Sequence, residues 1–447
     1  MFLLKKQSII FLVTITEDKK GQGHIKMDYS FHDLKPGPIS QCQICGSRHL
    51  ELAIDLGHQP LCDSLLSEDD LNKAEHYYPL RQVWCSECSL NQIDFCVDGS
   101  EVYHLEYPYR SGITKELALY QHQFSSEIIQ KFSISKNSFV IDIGSNDGTL
   151  LKGFKENGMR VLGVEPTNVA QIAQSENGIE TLQNFFGEKI AVDIAKSHGK
   201  AQVITATNVF AHMGNLGDVM RGVSQLIDPE GIFVIENHYL AQVINKIQFD
   251  TIYHEHLRTY SLKSLIKLFS MYGFTVIHAQ QVDRYGGNIR VVATLSKKAR
   301  IQESVAEVLK FEETLNLTKK ETYDVFRRKS YQIRDGLFKA AYEAGQAGRS
   351  FVGNSCPGRC STLLNFAGIT KDLMPYIAEQ PTSLKLGKYL PGKHIPVVNN
   401  QRLIEEQPDE VVILAWHYAE PIMDQLRKRG LKSKFVVPFP EVHFIKP

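Results

Sequence analysis

The sequence lacks both a charge imbalance and a long apolar run. Its 447 residues carry 50 basic and 50 acidic side chains, which does not indicate a globally basic surface for nucleic acid or an acidic one for cations. The N-terminal apolar run, Ser8–Ile15, is far shorter than the roughly 20 residues of a membrane span. We therefore expect neither a nucleic acid nor a membrane among the partners of this protein.

The N-terminus also lacks the small-residue cleavage site of a secretory signal. A charged stretch, Glu17–Lys20, follows the apolar run instead. We expect residues 1–36 to form a tail that ends at Pro36–Pro38, and leave open whether Met1 or Met27 is the true start. Internal repeats and low-complexity segments are absent as well.

Cysteine is scarce, with eight in the chain, which favours a reducing, cytoplasmic compartment and metal binding over disulfides. Four of them form two Cys-x-x-Cys pairs, and four thiolates complete a closed tetrahedral zinc site that stabilises structure rather than catalysing. Cys62 and Cys96 have no partner at ligand spacing and are expected to be small buried hydrophobes. The predicted zinc ligands are Cys42, Cys45, Cys85 and Cys88.

Strands and helices alternate from Ser138 onward, which predicts a parallel α/β sheet. A polar stretch from Ile301 to Ala347 has apolar residues at helical spacing and predicts a connector. A second α/β texture follows it. The predicted strands are Phe139–Ile143, Val161–Val164, Ala201–Ala206, Gly231–Glu236, Ser350–Gly353, Glu410–Trp416 and Lys434–Pro438, and the first helix is Thr149–Asn157.

A glycine-rich turn, Asp142-Ile-Gly-Ser-Asn-Asp-Gly148, follows the first of these strands and opens a helix. Such a turn lets backbone approach a ligand, and a carboxylate 21 residues after Gly144, at Glu165, suits a ribose diol. The spacing is not the GxGxxG of dinucleotide enzymes. An S-adenosylmethionine (SAM) loop, a dinucleotide loop and a plain tight turn are all compatible with this pattern.

If the ligand is SAM, Asp142 suits its amino-acid end, and Thr207–Asn208 would border the methionine moiety. Phe185–Phe186 would flank the adenine, or else they are ordinary core aromatics. The candidate cofactor residues are Asp142, Gly144, Ser145, Asn146, Gly148, Glu165, Phe186 and Asn208.

A second stretch, Tyr253-His-Glu-His256, concentrates groups that move protons. An imidazole can act as a base near neutral pH, a carboxylate can orient it, and a hydroxyl or second imidazole can stabilise an oxyanion. Two other interpretations stay open: half-buried interface residues, or a metal site made of His-x-His and Glu.

Taken in order, these stretches resemble the SAM-dependent C-methyltransferases that act on nucleotide-linked deoxysugars. The resemblance runs from about residue 40 to the end. It implies a zinc-binding domain at 37–100, a class I (Rossmann-like) methyltransferase domain at 101–300, a helical connector at 301–345 and a C-terminal α/β substrate-binding domain at 346–447. The matching stretches include Asp55–Pro60, Gly144–Leu150, Gly163–Pro166, Asn208–His212, Phe249–His256, Gly387–Gly392, Leu414–Trp416 and Pro438–Glu441.

The resemblance also implies roles for the acid–base residues. His256 is the expected base that removes a proton next to the sugar ketone, with Tyr253 as the competing base or as a donor to the enolate. Glu255 would orient an imidazole, and His212 would contact the ketone. The enolate carbon then attacks the SAM methyl group in line.

For the substrate, cationic and hydroxyl side chains near the C-terminus are expected to bind the two phosphates. Tyr107 and Tyr109 match a segment that closes over the sugar in the family, and His254 would also contact it. The expected phosphate contacts are Lys385, Lys388, Tyr389 and Arg359.

Three stretches depart from the family pattern: Tyr285–Asn288, Val352–Cys360 and Glu236–His238. These departures leave the identity of the sugar open. The alternatives are a SAM-dependent O- or N-methyltransferase, a non-catalytic zinc-containing binding module, and a nucleotide-sugar dehydrogenase. The last would use a cysteine such as Cys356 or Cys360.

Overall fold

The computed structural model describes residues 29–102, 110–113 and 115–446, together with the backbone of three short segments before them. Those segments, inside the predicted tail, form antiparallel strands that pair in sequence order. Among the helices so described, none is both long and apolar enough to cross a membrane. The three strands are β1 (Phe2–Lys6), β2 (Ile9–Glu17) and β3 (Gly23–Met27).

The last part of the predicted tail packs against the rest of the chain. His32 is fully buried and its Nε2 donates to the carbonyl of Ile44 at 2.8 Å. The carboxylate of Asp33 accepts a hydrogen bond from the backbone N–H of Asp218 at 3.0 Å. These contacts join residues 29–36 to two of the three predicted domains.

The predicted zinc-binding domain consists of short strands joined by long turns. Its elements are β4 (Gly37–Pro38), β5 (Leu50–Gln59), β6 (Tyr78–Cys85), β7 (Asn91–Ile93), β8 (Phe95–Cys96) and α1 (Gly99–Val102).

The central domain alternates helices and strands. Its elements are α2 (Lys115–Lys131), β9 (Phe139–Ile143), α3 (Thr149–Glu156), β10 (Arg160–Val164), α4 (Val169–Asn177), β11 (Thr181–Leu182), α5 (Glu188–His198), β12 (Ala201–Thr207), α6 (Leu216–Leu226), β13 (Ile227–His238), α7 (Leu240–Asn245), β14 (Arg258–Thr259), α8 (Leu262–Met271), β15 (Thr275–Val282) and β16 (Asn288–Thr294).

Seven of these strands form one sheet in the order β11-β10-β9-β12-β13-β16-β15. Every residue of β9 and of β16 is buried, as expected for strands covered by helices on both faces. β16 runs antiparallel to both of its neighbours, whereas β9 to β13 pair in parallel. The strand order reverses between β9 and β12, and open α/β sheets bind ligands at such a reversal.

The eighth strand, β14, belongs to another sheet. It pairs antiparallel with β7, so the four-stranded sheet β14-β7-β6-β5 joins a piece of the central domain to the zinc-binding domain. Because β14 directly follows the Tyr253–His256 stretch, the zinc-binding domain holds the end of that stretch in place.

The C-terminal part begins with two helices and continues as a six-stranded sheet in the order β19-β18-β17-β20-β21-β22, parallel except for β22. The elements are α9 (Glu303–Thr314), α10 (Lys320–Gln346), β17 (Phe351–Asn354), α11 (Gly358–Ala367), β18 (Ile377–Glu379), β19 (Val397–Asn399), α12 (Gln401–Glu406), β20 (Glu410–Ile413), α13 (Ala419–Lys428), β21 (Lys434–Val437) and β22 (His443–Ile445).

Helix α10 does more than connect domains. Its Tyr323 stacks on Trp84 of β6 with ring centroids 4.5 Å apart, and its Arg327 donates to the carbonyl of Leu52 at 2.9 Å. The predicted connector therefore packs along the zinc-binding domain and fixes it relative to the C-terminal sheet.

The four paired cysteines converge on one point. Their sulfur atoms all lie within 4.8 Å of one another, and two cross-pairs, Cys42 with Cys88 and Cys45 with Cys85, are each 3.5 Å apart. A tetrahedral zinc ion with bonds of about 2.3 Å separates its sulfur ligands by about 3.8 Å. The arrangement therefore fits zinc, and as all four thiols are buried it is a closed site.

Removing one of these ligands is expected to unfold the domain locally. Cys88→Ala should lose the bound zinc and lower the melting temperature, because binding of a structural metal contributes to folding free energy. Elemental analysis and thermal unfolding followed by circular dichroism measure the two effects.

Cys96→Ala is the matched control, because Cys96 is a buried thiol of the same domain that lies outside the cluster. It should retain a full equivalent of zinc. Loss of zinc from this variant as well, or an unchanged melting temperature in Cys88→Ala, would contradict the assignment.

Candidate functional site

A cavity of about 430 Å³ opens at the carboxyl ends of the central strands, where the sheet order reverses. Its size is within the roughly 300–1,000 Å³ typical of small-molecule sites. Three carboxylates line it: Asp142 on β9, Glu165 after β10 and Glu236 on β13. A ligand with several cationic or hydroxyl groups fits such a wall.

The glycine-rich turn forms the floor of this cavity. Gly144 has φ of +69°, and a Cβ there would lie 2.6 Å from Val209 on the facing loop, so glycine is required on both counts. Gly144, Ser145 and Asn146 line the cavity. Gly148 does not, because it precedes α3 with φ of +76° and packs against Ile179.

Asp142 and Glu165 differ in their surroundings. Asp142 is buried and accepts a 2.6 Å hydrogen bond from the hydroxyl of Thr205, and burial raises its pKa to about 7. Glu165 accepts hydrogen bonds from the backbone N–H groups of Asn146 and Thr167, both at 3.0 Å. The second carboxylate is therefore oriented by backbone, whereas the first lacks a cationic partner among the described residues.

Glu236 is held by a network that the sequence reasoning missed. The Tyr120 hydroxyl lies 2.7 Å from both of its carboxylate oxygens, and Nε of Arg290 donates to it at 3.0 Å. Tyr120 also lines the cavity. The position of Glu236 on a strand that ends at the site could have indicated a site residue. Tyr120 and Arg290 could not be found in this way, because they come from elements distant in sequence.

The remaining wall contains the predicted adenine and methionine contacts. Phe186 is buried and Phe185 is 66% exposed, and both line the cavity. Asn208 lines it too, with φ of +55° and its side-chain oxygen accepting from Asn288 at 3.0 Å. Seven of the eight predicted cofactor residues thus meet at one cavity, and Gly148 is the exception.

The Tyr253–His256 stretch is neither a strand nor a helix. It is a turn between a short 3₁₀ helix, Phe249–Thr251, and β14. The two histidines consequently face different ways. His254 lines the cavity, and its Nε2 donates to the carbonyl of Pro79 at 3.3 Å while its Nδ1 has no partner among the described residues.

His256 has a defined tautomer. Its Nδ1 lies 2.7 Å from the carbonyl oxygen of Thr251, which can only accept, so Nδ1 carries the proton and Nε2 carries the lone pair. Burial, with neighbouring imidazoles, holds the pKa of His256 well below its ordinary value. The ring is therefore neutral at physiological pH and its Nε2 is able to accept a proton.

Two imidazoles and a phenol surround the His256 ring. The His256 ring lies 3.9 Å from that of Tyr253, 4.8 Å from that of His212 and 4.9 Å from that of His238. Burial lowers the pKa of His212 to about 4 and that of His238 to about 3. Of the four, His212 is the one found among the described residues that line the cavity, and its ring contacts that of His256.

Glu255 contacts His212 rather than His256. Its Oε2 is 3.7 Å from Nδ1 of His212, and its Oε1 accepts from the Cys62 thiol at 3.6 Å. Burial, with the nearby Asp63 carboxylate, raises the pKa of Glu255 to about 8, so it is mostly protonated at neutral pH. The ammonium group of Lys385 is 3.2 Å from the Asp63 carboxylate and places a positive charge beside the two acidic side chains.

The predicted phosphate contacts are placed differently from one another. Lys385 pairs with Asp63, Lys388 is exposed, and the backbone of Tyr389 pairs with Leu66 of the zinc-binding domain. Arg359 is buried against the central domain, which does not favour the predicted phosphate contact. Tyr107 and Tyr109 are outside the described residues.

Family models match nearly the whole described chain. They are a zinc binding domain at residues 42–103, a methyltransferase domain at 117–279 and a C-methyltransferase C-terminal domain at 283–440. The C-methyltransferase NovU of Streptomyces niveus is 30% identical over 412 residues, covering 91% of this chain and 97% of NovU. This chain belongs to that family of C-methyltransferases.

Other relatives match only locally. A ubiquinone biosynthesis O-methyltransferase of Escherichia fergusonii is 30% identical over 96 residues, which are 21% of this chain and 39% of that enzyme. The magnesium protoporphyrin IX methyltransferase of Synechocystis, solved with S-adenosylhomocysteine, is 13% identical over 40% of this chain and 83% of its own. The TM-score of this match is 0.32.

This chain, as a C-methyltransferase, uses SAM, and the residues that line the cavity fit this cofactor. SAM carries an ammonium group and a ribose diol, and the wall offers a buried carboxylate for each at Asp142 and Glu165. When bound, SAM supplies an electrophilic methyl group. The class I sheet, the closed zinc site and the C-terminal α/β domain agree with the family models.

SAM affinity is expected to depend on the ionisation of Asp142. The SAM ammonium group pairs with the carboxylate and not with the acid, so the dissociation constant should fall by about tenfold per pH unit up to about pH 7 and then level off. Isothermal titration calorimetry between pH 5.5 and 8.5 measures this profile.

Two variants test the cause. Asp142→Asn should bind SAM weakly and without this pH dependence. Thr205→Val removes the hydroxyl that stabilises the carboxylate, so the midpoint should move to higher pH. The same slope in Asp142→Asn as in the unmodified protein would contradict the assignment of Asp142 to the SAM ammonium group.

Proposed function

We propose that this C-methyltransferase transfers the methyl group of SAM to a carbon next to the ketone of a nucleotide-linked keto-deoxysugar. The main support is the hydrogen bond between Nδ1 of His256 and the carbonyl of Thr251. It leaves the Nε2 lone pair available beside a group that lines the cofactor cavity. A carbon acid has no lone pair and needs such a base to form the attacking carbanion, whereas a neutral amine nitrogen already carries the attacking lone pair.

The reaction then has two steps. His256 Nε2 takes the proton from the carbon next to the ketone, and the C–H electron pair moves into an enolate. The enolate carbon forms a bond to the SAM methyl carbon as the carbon–sulfur bond breaks, which leaves S-adenosylhomocysteine. The base is buried and neutral before the reaction, and the Thr251 carbonyl bound to Nδ1–H is the fixed group that favours the imidazolium formed on proton transfer.

The enolate oxygen requires a hydrogen-bond donor. The phenol of Tyr253 is in ring contact with His256 and burial raises its pKa well above the ordinary value, so it stays protonated and suits a donor better than a base. His212 is the residue of this group that lines the cavity, and we assign it to the ketone. Glu255 orients His212.

The substrate contacts follow from the same placement. His254 lines the cavity, and its Nδ1 has no partner within the described part of the chain, which supports a contact with the sugar. Lys388 is exposed on the segment that packs on the zinc-binding domain and is the remaining predicted cation for the phosphates. We assign the enzyme to a reducing compartment, the cytoplasm, because its zinc ligands are thiols.

An O- or N-methyltransferase is the alternative from the sequence. The ubiquinone O-methyltransferases match only 96 residues, while the C-methyltransferase C-terminal domain matches residues 283–440. The acceptor is therefore carbon.

Solvent deuterium separates the two steps of the proposal. We incubate the enzyme with a thymidine-diphospho-4-keto-6-deoxysugar in deuterated water, with and without SAM, and follow the sugar by mass spectrometry. The unmodified enzyme should introduce deuterium without SAM and one methyl group with it. His256→Gln should lose both by about 100-fold or more, since general bases contribute about 10²–10⁴-fold.

Tyr253→Phe should still exchange deuterium, more slowly, because it keeps the base and loses a donor. His443→Gln, an exposed histidine near the C-terminus, is the control and should behave like the unmodified enzyme. Exchange that survives in His256→Gln but not in Tyr253→Phe would make Tyr253 the base. No exchange and no methylation by the unmodified enzyme would exclude this substrate class.

A further inference from the structure

The turn that fixes the tautomer of His256 contains a buried charge. Asp250 is fully buried within the 3₁₀ helix Phe249–Thr251, directly before the Thr251 carbonyl that binds His256. A buried carboxylate is stable only when it is paired and hydrogen-bonded. Within the described ranges, the partners of its side chain come from the C-terminal domain.

Arg359 on α11 is the main partner. Its Nε donates to Oδ2 of Asp250 and one Nη donates to Oδ1, both at 2.9 Å, which is a bidentate pair. The same guanidinium lies 3.3 Å from the Gln248 side-chain oxygen, 3.2 Å from the Tyr285 carbonyl and 3.3 Å from Nδ1 of His417. All five of its N–H groups therefore have a protein partner.

Two further residues of the C-terminal domain hold the same turn. The indole N–H of Trp416 donates to Oδ2 of Asp250 at 2.8 Å. The hydroxyl of Thr362, one turn along α11 from Arg359, donates to the carbonyl of Ile252 at 3.1 Å. Asp250 and Ile252, on either side of Thr251, are thus both hydrogen-bonded to side chains of the C-terminal domain.

We propose that Arg359 and Trp416 are positioning residues, which hold the Asp250 turn so that the Thr251 carbonyl keeps His256 in its Nδ1–H tautomer. The inference deepens the proposed function, on which its catalytic consequence rests. Arg359 acts here through Asp250 and Thr251 rather than by contact with a substrate phosphate. The proton-accepting nitrogen of the central domain is consequently set by the docked C-terminal domain.

The physical consequence concerns one hydrogen bond. If the turn loosens, the Thr251 carbonyl leaves Nδ1, and the neutral ring is free to carry its proton on Nε2 instead. That tautomer has no lone pair where the base needs one. A displacement of about 1 Å also lowers rate by up to about 100-fold without removing any reacting group.

The test reads the tautomer directly. Two-bond ¹H–¹⁵N NMR spectra of protein labelled with ¹⁵N-histidine distinguish the two neutral tautomers, and the signal of His256 is the one lost in His256→Gln. The unmodified protein should show the Nδ1–H form at this position. Trp416→Phe keeps an aromatic side chain and loses the indole N–H donor, and Arg359→Lys keeps the charge and loses the bidentate geometry. Both variants should show the Nε2–H form appearing.

Activity gives the second readout. Both variants should lower kcat for methyl transfer to the keto sugar by about 10- to 100-fold, with the dissociation constant for SAM unchanged within twofold. Arg402→Lys is the control, since Arg402 makes an exposed pair with Glu406 far from the turn. It should leave the kcat and the His256 signal as they are.

The outcomes separate this inference from the proposed function. An unchanged Nδ1–H signal in both Trp416→Phe and Arg359→Lys overturns the positioning role, whether or not kcat falls. A changed tautomer supports it even when the keto sugar is not methylated by any form of the enzyme, a result that would overturn only the substrate class. If Arg359→Lys does not fold, the His256 tautomer in Trp416→Phe alone supports or overturns the positioning role.

Discussion

The ion pair between Asp250 and Arg359 is the interaction on which the site geometry depends. Both side chains are buried, and removing one member of a buried pair typically costs about 3–5 kcal/mol because a charge is left unpaired. The pair can form only when the C-terminal domain is docked against the central one. On the other side of the same turn, β14 completes a sheet of the zinc-binding domain. The acid–base residues between these two attachments are thus held from both flanks.

This arrangement explains why a closed zinc site belongs in a methyltransferase. The zinc ion has no open position for chemistry, but the sheet that it stabilises pairs with β14 and its Pro79 carbonyl binds His254. The burial produced by the three domains also keeps His212, His238 and His256 neutral. A neutral imidazole is the form that can accept a proton, so domain packing and base function are physically linked.

The sequence was sufficient wherever the signal was local. β9 was predicted at its observed bounds, Phe139–Ile143, since a continuous apolar run beside a glycine turn identifies a buried strand. The cysteine pairs predicted their own convergence by spacing. Seven of the eight cofactor residues meet at one cavity because parallel strands end at the same edge of the sheet.

What the sequence did not reveal comes from contacts between distant segments. Nothing local indicates that Asp250 pairs with Arg359, 109 residues later, or that Glu255 contacts His212 instead of His256. The sequence did not distinguish strand from helix for the Tyr253–His256 stretch. The segment is neither, because it is a turn held by the domains around it. Arg359 was expected to contact a substrate phosphate, but its guanidinium pairs with Asp250 from a distant segment.

A crystal structure with S-adenosylhomocysteine and a keto-sugar nucleotide tests the central claim most directly, because His212 lines the cavity whereas its neighbours Tyr253 and His256 are not among the described lining residues. We predict that the sugar carbon next to the ketone lies between the cofactor sulfur and Nε2 of His256, with the Thr251 carbonyl still bound to Nδ1. A sugar carbon that remains separated from His256 by the His212 ring, or a His256 ring turned away from Thr251, would contradict it.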